Sequence, residues 1–152
     1  MLSRELDDVT LSNLQCLVKA NFASRDRLYL AAESLSGLDR KLVCRRLADQ
    51  LATNAIHIQQ LLAQRNAEVP SPPCTDEAAK RGLQLAAANS DAVLDVAERC
   101  EQALERAYDD AIDHTPDAEA TGIMRRQRED VAFGKRVLSC LRDAAARHLF
   151  PG

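Results

Sequence analysis

The chain has few of the residues that make turns, aromatic clusters or disulfide frameworks. Its 152 residues include no Trp, two Tyr, three Phe, five Gly and five Pro. The five cysteines are an odd number without a CxxC pair, which excludes a complete set of internal disulfides, a zinc ribbon and a thioredoxin motif. No apolar run approaches the roughly 18 residues that a membrane span needs. A net charge of −3 excludes a globally basic nucleic-acid binder, so we expect neither a membrane nor a nucleic acid as partner.

Strong helix formers dominate what is present, in a mix of 46% hydrophobic and 28% charged residues that is typical of globular domains. No segment alternates apolar and polar residues in the way that a strand does. We therefore expect a single all-α domain over residues 1–152. The first residues, MLSRELDDVT, lack the apolar stretch of a signal peptide, which, with the scattered cysteines, predicts a cytoplasmic protein.

Apolar residues that recur at steps of three and four predict an almost entirely helical chain. A proline-rich linker, residues 68–75, divides the helices into two groups because proline cannot continue a helix. Two hairpins of long helices predict an antiparallel four-helix bundle, with a short extra helix in the crossover between them. The predicted helices are residues 9–36, 40–67, 76–88 (the short one), 90–113 and 116–148.

The local sequence predicts where the helices end and which cysteines are buried. Gly37 is the expected C′ residue of the first helix, and Asp39 is the expected N-cap of the second. Thr115, followed by Pro116, is expected to cap the last long helix. Four of the five cysteines fall in predicted helices, where free cysteine usually behaves as a small buried hydrophobe. Cys74, in the linker, is the cysteine that we expect to be exposed and reactive.

Polar residues interrupt the apolar stripe near the middle of each long helix. Because the midpoints of antiparallel helices meet at similar heights, we expect these residues to form one polar layer. Burying such groups costs a few kcal/mol each unless they bond to one another or to a ligand. The layer is therefore either a hydrogen-bonded device that fixes helix register or a metal site. Its predicted members are Asn21, Ser24, Asn54, Glu101 and Gln127.

The metal hypothesis depends on spacing, because di-iron centres in bundles take one Glu from each of two helices and Glu-x-x-His from each of the other two. Asn54 and His57 have that spacing on the second helix, and Gln127 and Asp130 have it on the last. Neutral amides are weak ligands for hard metals, so most of the carboxylates that a di-iron centre needs are missing. Glu101, His57 and Asp130 are the candidate ligands of a single metal ion if all three turn inward.

Three segments carry a resemblance to a known group of proteins. The last two helices of these proteins typically read Glu-x-x-Glu, then a Tyr, then a Gln-rich stretch. The matching residues in this chain are Glu98, Glu101, Tyr108 and Gln127. The chain is similar here to the ferritin-like superfamily, and in particular to a bacterial family of small four-helix proteins catalogued as a domain of unknown function. The similarity covers residues 10–145 and implies a bundle fold without an established activity. The segments are Asp26–Glu33 (DRLYLAAE), Ala97–Ala111 (AERCEQALERAYDDA) and the stretch from Gln127 (QREDVAFGKRVLSCLRD).

Taken together, the residues and the resemblance predict a non-enzymatic interaction or stress-associated protein, with no catalytic residue, no cofactor and no functional di-iron site. Gly122 and Gly134 in the last predicted helix allow close helix approach, either within the bundle or against a second copy, and we expect a homodimer. Two alternatives stay open. One is a metal-binding protein with a reduced site around His57 and Glu101, and the other is histidine phosphotransfer through His57.

Overall fold

The structure is a computed structural model that describes residues 5–72 and 90–148. Within these ranges the chain forms four α-helices and no strand, which confirms the prediction of an all-α, four-helix protein. The predicted short helix at 76–88, the end of the linker and Cys74 lie outside the described residues. The helices are α1 (Asp8–Ser34), α2 (Leu38–Gln64), α3 (Ser90–His114) and α4 (Ala118–His148).

The turn between α1 and α2 differs from its prediction. Leu35 follows α1 in an extended conformation and is 3% exposed, so the chain leaves the helix in order to bury this side chain. Gly37, at φ = 96°, is the N-cap of α2 and not a C′ residue of α1. Only a residue without a Cβ takes that φ at no cost, so the glycine fixes where α2 begins. Asp39 lies in the first turn of α2 and does not cap it.

Two further helix ends also differ from the prediction. α2 stops before Asn66, which has φ = 56°, and the backbone N–H of the next residue donates to the carbonyl oxygen of Leu62 at 2.9 Å. A left-handed residue followed by such a bond is a common helix C-terminus, and asparagine tolerates it better than most residues. Asp117 Oδ1 accepts the backbone N–H of Ala120 at 3.0 Å, so Asp117 caps α4 in place of the expected Thr115.

Contacts at the helix ends establish the direction of each helix. Asn13 near the start of α1 donates to Thr115 beyond the end of α3 at 3.0 Å, so α1 and α3 are antiparallel. Arg65 beyond the end of α2 pairs with Asp117 before the start of α4 at 3.2 Å, so α2 and α4 are antiparallel as well. Short turns make α1–α2 and α3–α4 antiparallel hairpins. The order around the bundle is therefore α1, α2, α4, α3, with every pair of neighbours antiparallel.

This arrangement makes α2 and α3 parallel, so the end of α2 and the start of α3 lie at opposite ends of the bundle. The beginning of the connection between them lies against the first hairpin, where Gln15 of α1 donates to the carbonyl oxygen of Glu68 and Gln59 of α2 donates to that of Pro70, both at 3.1 Å. Ser36 and Ser90 lie 3.5 Å apart through their hydroxyl oxygens, which places the start of α3 beside the end of α1.

Apolar side chains from all four helices form one core, in which Leu14, Leu28, Ile58, Leu94 and Leu138 are fully buried. Of the helices in the described ranges, none combines the length and the apolar content that crossing a bilayer requires.

The prediction that the helical cysteines are buried is correct for one and wrong for two. Cys44 lies in the core, Cys100 is partly buried, and Cys16 and Cys140 are exposed.

Candidate functional site

One chain of hydrogen bonds crosses the interior and joins all four helices. Asn21 Nδ2 of α1 donates to the Tyr108 hydroxyl of α3 at 2.8 Å, and this hydroxyl donates to Gln127 Oε1 of α4 at 2.7 Å. Gln127 Nε2 then donates to the backbone carbonyl oxygen of Asn54 in α2 at 2.9 Å. All four residues are at most 2% exposed. Each bond is therefore made away from water, where leaving a donor or acceptor unpaired costs about 1–3 kcal/mol.

The hydroxyl of Tyr108 is the centre of this chain because it accepts one hydrogen bond and donates another. Burial raises the pKa of Tyr108, so the hydroxyl keeps its proton at neutral pH and remains a donor. Asn21 is oriented from its own helix, since its Nδ2 also donates to the carbonyl oxygen of Leu17 at 2.8 Å. The chain of bonds thus sets the relative heights of the four helices.

The residues predicted for the polar layer divide into two groups. Asn21, Asn54 and Gln127 belong to the hydrogen-bond chain, and Gln50 Nε2 adds a further bond to Asn54 Oδ1 at 3.1 Å. Ser24 is buried with 4% exposure, but its side chain makes no hydrogen bond within the described residues.

The fifth predicted residue, Glu101, does not belong to the chain of bonds. It precedes Tyr108 by seven residues on α3, which is two helical turns or about 10 Å along the axis. Tyr108 takes the place that the sequence analysis gave to Glu101. The sequence could have indicated the role of Tyr108, because a tyrosine on a buried apolar stripe needs a hydrogen-bond partner for its hydroxyl.

Glu101 is a buried carboxyl that has no hydrogen-bond or ion-pair partner among the described residues. It is 1% exposed, its Oε1 makes no hydrogen bond, and burial raises its pKa to about 8. Gly134 of α4 lies directly opposite, where a Cβ would stand 3.2 Å from Glu101 Oε2 and 3.3 Å from Leu47 Cδ2. Of the two glycines that suggested close helix approach, Gly134 thus makes one inside the bundle, whereas Gly122 has open space where its Cβ would be.

The carboxylates one turn to either side of Glu101 are paired with cations of α4. Glu98 Oε2 lies 2.7 Å from Arg142 Nη1, and Glu105 Oε2 lies 2.8 Å from Lys135 Nζ. The α3–α4 contact therefore carries a row of ion pairs, and within the part of the chain that the structure describes no cation pairs with Glu101 between them.

The three candidate metal ligands do not meet. His57 is exposed on α2, Glu101 is enclosed at a different level of the bundle, and Asp130 is half-buried beside Gln50, whose Nε2 is 3.4 Å from its Oδ2. Among the described residues no group of three or more His, Cys, Asp or Glu side chains is placed to hold a metal ion. The interior offers amides, a phenol and one lone carboxyl, which does not fit the four Glu and two His of a bundle di-iron centre.

A groove separates α2 from α4 on the outside of the hydrogen-bonded layer. Its volume is about 580 Å³, and its floor includes Asn54, Leu61, Ile123 and Gln127. Carboxamides, one imidazole and a few charged groups form the walls, so the groove combines an apolar base with many hydrogen-bonding groups. The wall residues are Gln50, His57, Gln60, Gln64, Glu119, Arg126 and Asp130.

The chain has no match among the models of known protein families and none among curated proteins.

Proposed function

We propose that the protein is a non-enzymatic, ferritin-like helical bundle that acts in the cytoplasm as an interaction or stress-associated protein and has no functional di-iron site. One observation carries the proposal. The centre of the bundle, where a metal would lie, is occupied by Asn21, Tyr108, Gln127 and Asn54, which use their hydrogen-bonding groups on one another.

The path of the chain supports the ferritin-like part of the proposal. Two antiparallel hairpins whose second and third helices are parallel need one long crossover, and a single long crossover is the arrangement of ferritin-like bundles. Most other four-helix bundles either alternate direction through short loops or use two long crossovers.

The chemistry of the interior supports the part that concerns metal. A carboxylate ligand has to be ionised, whereas the pKa of about 8 for Glu101 keeps most of this side chain protonated at neutral pH. The ion pairs of Glu98 and Glu105 with Arg142 and Lys135 further reduce the charge available to balance a divalent cation.

The proposal includes a homodimer. It is supported by two features of α4 that the bundle does not use: the open space at Gly122 and the side chain of Phe133, which is 59% exposed. Sedimentation equilibrium of the wild type and of Phe133→Glu tests this part, with a dimer expected for the wild type and a monomer for the variant. A wild type that sediments as a monomer would contradict it.

Elemental analysis of the purified protein tests the metal part. The wild type is measured beside Glu101→Gln and His57→Ala, with His114→Ala as the matched control because His114 is exposed at the end of α3 and does not line the groove. We expect iron, manganese and zinc well below one ion per chain in all four proteins. Stoichiometric metal in the wild type and in His114→Ala, lost in the other two variants, would overturn the proposal in favour of a reduced metal site.

A further inference from the structure

The acidic groups of the α2–α4 groove already have partners. Glu119 Oε1, at one end of the groove, lies 3.0 Å from Arg65 Nη2. Near the other end, Asp130 Oδ2 accepts a hydrogen bond from Gln50 Nε2 at 3.4 Å. Neither carboxylate is therefore available as the principal contact of a ligand.

The hydrogen-bond donors of the groove, in contrast, are largely unused. The side chains of His57, Gln60 and Gln64 make no hydrogen bond or ion pair within the described residues, and the Arg126 guanidinium donates no hydrogen bond there. These groups lie on both walls, three on α2 and one on α4. The unused groups on α2 can donate or accept hydrogen bonds, whereas the Arg126 guanidinium can only donate.

A buried donor lies beneath them. Asn54 is 2% exposed and lines the groove, and its Nδ2 has no hydrogen-bond partner although its Oδ1 has one. Such a donor costs about 1–3 kcal/mol until it meets an acceptor. Asn54 and Arg126 lie at the same level of the bundle, because Gln127, the residue after Arg126, bonds to the backbone of Asn54.

The rest of the floor is apolar. Leu61 is 3% exposed and Ile123 is partly buried opposite it. The groove volume of about 580 Å³ lies within the 300–1,000 Å³ that is usual for small-molecule sites. Such a site consists of an apolar surface with a few convergent polar groups, which is the composition observed here.

We propose that the α2–α4 groove binds a small organic carboxylate, whose anionic end is held by Arg126 and Asn54 and whose hydrocarbon part lies over Leu61 and Ile123. This inference rests on the proposed function, since it supplies a ligand for a protein that acts by binding. Guanidinium is suited to the role because its planar donors match both oxygens of a carboxylate.

Asp130 gives the proposal a distinctive consequence. Burial raises the pKa of Asp130, and the positive charge of Arg126, one turn earlier on α4, lowers it in part, so the two side chains interact. A bound carboxylate therefore competes with Asp130 and is repelled by it. Removing the charge of Asp130 without changing its shape has to strengthen binding, whereas a merely structural Asp130 would give no such gain.

Isothermal titration calorimetry of the full chain with octanoate tests the inference, and octanamide serves as the uncharged ligand of the same shape. We expect octanoate to bind once per chain, and both Arg126→Gln and the change to octanamide to weaken binding about tenfold, the size expected for loss of a charge-assisted hydrogen bond. Asp130→Asn is expected to strengthen binding severalfold. Arg125→Gln is the matched control, because Arg125 is exposed on α4 and lies outside the groove.

Three results would overturn the inference: no saturable heat with millimolar octanoate, equal weakening by Arg125→Gln and Arg126→Gln, or no gain from Asp130→Asn. Each of these leaves the elemental analysis unaffected. Conversely, stoichiometric metal would overturn the proposed function while the binding of octanoate in the groove could still be measured.

Discussion

Glu101 shows how one side chain makes the interior of this bundle sensitive to pH. A buried carboxylate without a partner is costly, whereas the protonated acid is much less so, and this difference raises the pKa of Glu101 to about 8. In an unfolded chain the same group titrates near 4.5. Between these values the folded protein holds a proton that the unfolded chain releases, so stability falls as the pH rises from about 4.5 to 8.

Glu101→Gln removes this dependence. Below pH 4.5 both states of the wild type are protonated at this residue, and we expect little difference in the free energy of unfolding. The advantage of the variant grows through the window and levels off above pH 8 at a few kcal/mol, since each pKa unit is worth about 1.4 kcal/mol. Urea unfolding of both proteins across this range measures the difference.

Glu33→Gln is the control for that experiment, because Glu33 is exposed near the end of α1. Its difference from the wild type is expected to stay nearly constant with pH. If Glu101→Gln is less stable than the wild type at pH 8, Glu101 is ionised and has a partner, and the description of it as an unpaired acid is wrong.

Gly122 and Gly134 of α4 differ in how much space each leaves for a side chain. Glycine inside a helix costs up to about 1 kcal/mol relative to alanine, so Gly122→Ala, which meets open space within the chain, is expected to stabilise the folded monomer by that amount. At Gly134 the added Cβ presses on the enclosed carboxyl of Glu101 and on Leu47 at 3.2 and 3.3 Å. We expect this clash to cancel the gain or reverse it. Equal stabilisation by both substitutions in thermal unfolding would contradict the close approach.

At the scale of whole helices, α4 contacts its two neighbours in different ways. Against α3 it carries a row of ion pairs in which Arg128 reaches both Glu105 and Asp109, and Lys135 reaches Glu105. Against α2 the groove intervenes, and near mid-height the bond from Gln127 to the Asn54 backbone spans the gap. The polar layer therefore joins α2 to α4 across the groove.

Tyr108→Phe tests the layer, because it removes the hydroxyl and leaves the shape of the ring. The change leaves Gln127 Oε1 buried without its donor and takes one acceptor from Asn21, so we expect a loss of about 1–3 kcal/mol in the free energy of unfolding. Tyr29→Phe is the matched control, since the Tyr29 hydroxyl donates to Asp49 at an exposed position. It is expected to cost less than about 0.5 kcal/mol. Similar losses in the two variants would show that the layer contributes nothing special.

In the molecule as a whole, some features of the fold follow from the sequence alone and others depend on packing between helices. Apolar stripes and breaks predicted the four long helices, because burial of one face depends only on local spacing. Helix ends were missed where one residue with positive φ, Gly37 or Asn66, decided the end. The polar layer was predicted only in part, because the prediction assumed that the midpoints of all four helices lie at equal heights. In the structure, contacts such as Asn13–Thr115 fix the height of α3 so that Tyr108, and not Glu101, faces Asn21.

The groove could not be predicted at all from the sequence. Its existence depends on the distance between α2 and α4, and this distance results from packing across the whole bundle. His57 and Arg126 are widely separated in sequence and carry no motif that links them. The sequence supplied the residue types, and the fold brought the unused donors to one surface.

We propose that hydrogen bonds within the chain, and no metal ion, hold the middle of the bundle together. The most direct test is the thermal unfolding midpoint of the purified protein before and after dialysis against a strong chelator. We expect the midpoint to change by less than about 1 °C, because an ion that binds the native state would raise it by mass action. A fall of several degrees that added iron, manganese or zinc reverses would contradict the claim.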